Sequence, residues 1–154
     1  MIDAYATTGT FADLHQLARD LAETLMKIEQ VPDILMFGQN TAAFVHELPD
    51  RAISNVEGKS NSVRVQLLTN AGALDRDTQR AVVRQFTDLI AAAAGDPSLP
   101  TRTWILLTEA VVGGWGLGGN ANTNAELVDA ARAQVPSWRG TRRRGSGPRP
   151  TPNT

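Results

Sequence analysis

No cysteine occurs among the 154 residues. That excludes a disulfide framework, a thiolate-bound metal and a thiol nucleophile, and it fits a reducing compartment, so a cytoplasmic location is expected. Histidine is scarce as well. His15, in a helical pattern, and His46, in a strand pattern, are the only two. Neither has partners at a metal-ligand or Ser-His-Asp spacing, so no metal and no cofactor is expected. His46 and its neighbour Glu47 read as satisfied strand residues. No apolar run approaches the roughly 18 residues that a membrane span needs. The opening "MIDAYATTGT" has neither the basic nor the apolar region of a secretory signal, and no membrane partner is expected. Acidic residues are missing from the last stretch, "PSWRGTRRRGSGPRPTPNT" (136–154), which holds five arginines. This composition is expected to be a disordered tail. A nucleic-acid binder is the weaker alternative, because Trp138 is the only aromatic there on which a base could stack.

The rest of the chain reads as one pattern used twice. "MIDAYATTGTF" and "SVRVQLLTNAGAL" are each a strand followed by a glycine, Gly9 or Gly72. Each leads into an amphipathic stretch. Leu14, Leu17, Ala18, Leu21, Leu25 and Ile28 share one helical face, and so do Val82, Phe86, Leu89, Ile90 and Ala93. Thr10 and Asp13 have the spacing of an N-terminal cap for the first helix. The second begins with acids, which suit the positive end of a helix dipole, and stops at Gly95-Asp96-Pro97. A second strand follows each helix, "TAAFVHEL" (41–48) and "TWILLTEA" (103–110). Glu47 and Glu109 lie 62 residues apart, and Gly9 and Gly72 lie 63 apart. A near-constant offset across strand, turn and strand end predicts a duplicated β-α-β unit with a short hairpin after each copy. The units are expected at 1–62 and 63–135, with a helix "NAELVDAARAQV" closing the second. Right-handed crossovers then give a four-stranded sheet with both helices on one face, an α+β protein that is α/β by local units. The other face keeps apolar side chains from "RVQLL" and "WILLT" and needs a cover, for which further copies of the chain are the natural candidates.

Gly114, Gly116 and Gly119 satisfy G-x-G-x-x-G. A dinucleotide site would need a further strand ending in an acid about 20 residues on, and here the Arg-rich tail stands instead. The glycines are therefore read as a hairpin, with Trp115 beside a cavity.

The duplicated β-α-β, the repeat offset, the strand ending "TEA" and the "GGWGLGGNA" hairpin together resemble the tautomerase superfamily. Val63 to roughly Leu127 looks like one 4-oxalocrotonate tautomerase subunit. Residues 1–127 as a whole are similar to the fused chains of macrophage migration inhibitory factor and the cis-3-chloroacrylate dehalogenases. The resemblance implies a homotrimer, closed as a barrel of three sheets wrapped by helices. It also implies an isomerase that moves a proton next to a carbonyl of a small keto or unsaturated carboxylic acid. In such proteins the base is an N-terminal proline, arginines hold the substrate carboxylate and an aromatic closes the pocket.

This sequence departs from that pattern. Ile2 follows Met1, Val63 holds the equivalent place in the second unit, and Thr10 and Ala73 stand where an arginine is common. The catalytic candidate is then the α-amine of Met1, whose ordinary pKa of roughly 7.7–8.0 burial would lower. Trp104, at the strand position of a pocket aromatic, and Trp115 are candidate pocket walls. Arg102, two residues before Trp104 and on the same strand face, is the first candidate for a substrate carboxylate; Arg51 and Arg64 are weaker ones. The alternative is a catalytically inactive relative that binds a small carboxylate or serves as a scaffold.

Overall fold

The computed structural model describes residues 1–135; the expected tail at 136–154 lies outside the described residues. The chain runs β1 (Ile2–Thr7), α1 (Leu14–Glu29), α2 (Leu35–Asn40), β2 (Ala43–Leu48), the hairpin β3–β4 (Ser54–Asn55, Gly58–Lys59) and β5 (Val63–Thr69). It continues with α3 (Arg76–Ala94), a 3-10 turn (Leu99–Arg102), β6 (Thr103–Glu109), the hairpin β7–β8 (Trp115–Leu117, Asn120–Asn122) and α4 (Asn124–Gln134). Four strands form one sheet in the order β2-β1-β5-β6. β1 is parallel to β2 and β5 is parallel to β6, as a helical crossover requires, and the two units meet through antiparallel β1 and β5.

Alternation on the two central strands decides where the core lies. Ile2, Ala4 and Ala6 of β1 and Val63, Val65 and Leu67 of β5 point to the helical side and are buried. Leu17, Leu21 and Leu25 of α1 and Val82, Phe86 and Ile90 of α3 close over them. Each of the larger side chains contributes about 1.5–3 kcal/mol by leaving water. Small Ala4 and Ala6 and bulky Phe86 belong to the same buried cluster.

The helix ends follow local chemistry. The N-cap of α1 is Asp13, not Thr10: the Asp13 carboxylate accepts from the Gln16 N–H at 2.8 Å. The Thr10 hydroxyl donates instead to the Thr7 carbonyl at 2.6 Å and belongs to the turn after β1. Asp75 caps α3, and Gly95, with φ of 62°, ends it in the left-handed conformation. The glycine-rich stretch is a hairpin. Gly118 and Gly119 both have positive φ, 59° and 81°, between the paired Leu117 and Asn120. That geometry selects glycine for a two-residue strand connection.

Opposite the helices, one register row crosses all four strands: His46, Tyr5, Arg64 and Trp104. His46 Nε2 lies 2.7 Å from Asp3 Oδ1, and its ring stacks on Tyr5 at 4.4 Å. The Arg64 guanidinium sits 4.5 Å from the centre of the Tyr5 ring. Phe44, Leu68, Trp104 and Leu106 are exposed on this face. No helix among the described residues is long and apolar enough to cross a membrane.

Candidate functional site

The antiparallel pairing of β1 and β5 extends one step beyond Ile2. The Met1 carbonyl accepts from the Leu68 N–H at 2.9 Å, and the Met1 α-amine donates to the Leu68 carbonyl at 2.9 Å. Sheet register therefore fixes the direction of the amine. It stands at the wall of a cavity of about 470 Å3.

Each wall has a local cause. Thr69 and Asn70 continue β5 past the core, and the Asn70 carboxamide oxygen is buried without a hydrogen-bond partner. α2 contributes Met36 and Phe37, and its last residue, Asn40, is tied by its side chain to the Met36 carbonyl. α4 starts with a reciprocal cap between Thr123 and Glu126, and the Asn124 amide donates to the Ala71 carbonyl at 2.6 Å. That contact docks α4 on the loop after β5, so that Leu127 and Val128 close one side. The β7–β8 hairpin brings in Trp115 and Leu117.

The last residue of α1, Glu29, also faces this space. It lies four residues after Leu25 and eight after Leu21, on the apolar stripe of the helix. An acid at a stripe position is the signal that sequence reasoning passed over. Burial pushes its carboxyl above the usual range, partly offset by the charge of the Met1 amine. Burial likewise lowers the Met1 amine below its ordinary value, partly offset by Glu29 and Asp3. Amine and carboxyl thus feel each other across the cavity, with no direct ion pair between them.

The other candidates are spread over the fold. Trp115 lines the cavity with Met1. Arg64 and Trp104 are neighbours on the open sheet face, outside the cavity lining. Arg51, with φ of 68°, is exposed in the turn before β3. The strand alternation that put Arg102 on the face of Trp104 does not reach it. Arg102 ends the 3-10 turn, and its guanidinium donates to the Asp96 carboxylate and the Ser98 hydroxyl, at 2.5 and 2.8 Å. Glu47 accepts from the Gly9 N–H at 2.9 Å and secures the turn after β1. An amine of lowered basicity and a carboxyl of lowered acidity in one largely apolar chamber are suited to taking and giving a proton.

No family model and no curated protein matches the sequence. Solved structures do match. A member of the cis-3-chloroacrylic acid dehalogenase family superposes with a TM-score of 0.69 at 14% identity, over 88% of this chain and 92% of that one. A fused 4-OT, a symmetric trimer, does so with 0.67 at 11% identity, over 82% and 97%. Macrophage migration inhibitory factor of Toxoplasma gondii gives 0.57 at 9% identity, over 76% and 95%. At these identities the likeness is one of fold, shared with a fused 4-OT, a cis-3-chloroacrylic acid dehalogenase family member and a macrophage migration inhibitory factor.

Proposed function

We propose that this chain, built on the tautomerase-superfamily fold, is a tautomerase-like isomerase that moves a proton between a carbon and the oxygen of an adjacent carbonyl. The reading is carried by Met1, whose amine is held on the Leu68 carbonyl and which lines the same cavity as Glu29. In its free-base form the amine takes the proton: the C–H bond breaks and an N–H bond forms. The electron pair moves to the carbonyl oxygen, which takes the proton of the Glu29 carboxyl, and an enol results. The reverse steps return the ketone and both groups to their starting states, so the cycle needs no redox partner. Apolar walls such as Trp115 and Leu127 exclude water and keep both pKa values displaced toward neutrality.

The proposal includes a homotrimer. The exposed Phe44, Leu68, Trp104 and Leu106 leave one sheet face in need of a cover, and a fused 4-OT of the same fold is a symmetric trimer. Light scattering should then give three times the 16.5 kDa of one chain.

The chemistry is tested by proton NMR in deuterated water, following deuterium uptake next to the carbonyl of a phenyl-bearing ketone. The chain should accelerate uptake, and a Gly-Ser extension ahead of Met1 should abolish the acceleration with little change in melting temperature. An extended chain that exchanges as fast as the original refutes the amine as base.

A further inference from the structure

We infer that the cavity takes an uncharged carbonyl compound with an apolar or aromatic substituent, and discriminates against carboxylates through Glu29. The inference rests on the cavity being the proton-transfer site proposed above. Among the described residues, the lining contains no lysine, arginine or histidine. Of the three arginines expected to hold a carboxylate, Arg102 is engaged on Asp96, Arg64 lies over Tyr5 and Arg51 stands in an exposed turn. The remaining polar lining is uncharged, chiefly Thr41, Asn70 and Asn124, while Phe37 and Trp115 offer flat apolar surface for a ring. A volume of about 470 Å3 suits a ligand of that size.

Charge balance sharpens the point. The Met1 amine and the Glu29 carboxyl together hold one proton when the amine is poised as base and the carboxyl as acid, and the pair is then neutral. The pair is equally neutral with the proton on the amine. A neutral ligand enters without altering that balance. A carboxylate adds a negative charge that nothing in the lining compensates, so it binds only if the pair takes up a second proton. Its affinity must then fall as pH rises, while that of a neutral ligand stays level.

The test compares phenylpyruvate with its methyl ester on the full chain, by calorimetry from pH 6 to 9 and by deuterium uptake next to the ketone. The ester is expected to bind at least about ten-fold more tightly at pH 7.5, with the gap widening as pH rises. Equal or tighter binding of the acid overturns the inference, and so does absence of binding by both. Preferential binding of the ester without accelerated deuterium uptake upholds the ligand class and refutes the proton-transfer reading.

Discussion

Replacing Glu29 by Gln removes one charge from the cavity and leaves its shape. Treated as a sphere, a 470 Å3 cavity is about 10 Å across, so a bound carboxylate lies roughly 5 Å from the wall; two unit charges at that distance interact by about 3 kcal/mol at an effective dielectric constant near 20. Screening at the mouth and partial protonation of Glu29 reduce this, and the expected change is about ten- to a hundred-fold. Glu29→Gln should therefore raise the affinity for phenylpyruvate relative to its methyl ester by that factor, by titration calorimetry at pH 7.5. The same variant should alter the pH profile of deuterium uptake. In the parent chain, uptake should fall on the acid side, where both groups are protonated, and on the alkaline side, where both are bare. Gln cannot lose a proton, so the alkaline fall should vanish at a lower maximal rate. The acid limb should stay in place or move to higher pH, because it then follows the amine alone and not the first proton lost by the pair. An acid-to-ester ratio and an alkaline limb both unchanged in Glu29→Gln would refute the role of this residue.

Three other perturbations test the frame that holds the cavity. Phe86→Ala empties a fully buried site beneath the sheet, at a cost of about 3–5 kcal/mol and a fall in Tm of roughly 10 °C by calorimetry, whereas Val83→Ala, half-exposed on the same helix, should change little. The Asp96 carboxyl is lowered from 3.8 to about 2, first by the hydroxyl and N–H of Ser98 and then by Arg102. A lowered carboxyl stabilises the fold above pH 3.8 and loses that contribution as pH falls through 2. Asp96→Asn should thus be less stable than the parent at pH 6 in urea titrations, with the difference shrinking toward pH 2. Leu106→Glu, on the open sheet face, should convert the proposed trimer to smaller species in sedimentation velocity while each chain keeps its circular dichroism.

The parts of the fold that depend on local repetition were legible. The helical stripes through Leu17, Leu21 and Leu25 and through Val82, Phe86 and Ile90 are the ones buried, and the paired glycines turn the β7–β8 hairpin. Features decided by contacts between distant segments were not. α2 is six residues long and contains Gly38, too short for a periodic pattern to show, yet it walls the cavity. Thr10 and Asp13 have the spacing of a capping box, but the Thr10 hydroxyl is taken by the Thr7 carbonyl and Asp13 itself is the cap. Arg102 fell outside the alternation because the strand begins one residue after it, at Thr103. Glu29 falls on the apolar stripe of α1, but at the helix end that position also suits a solvated acid, and only α2 and Met1, the latter distant in sequence, make it part of a cavity. Of the candidate site residues, Met1 and Trp115 share the cavity, and the arginines do not.

The group on which the proposed chemistry turns is main-chain, not side-chain. Substituting Met1 alters a thioether and leaves the nitrogen in place, so an alanine scan would pass over the base and report an innocuous position. What would silence it is acylation or a longer chain, because either turns the amine into an amide, whose nitrogen is not basic. A preparation tagged at that end would look inert while folding normally, and the maturation of the terminus itself would become a determinant of activity.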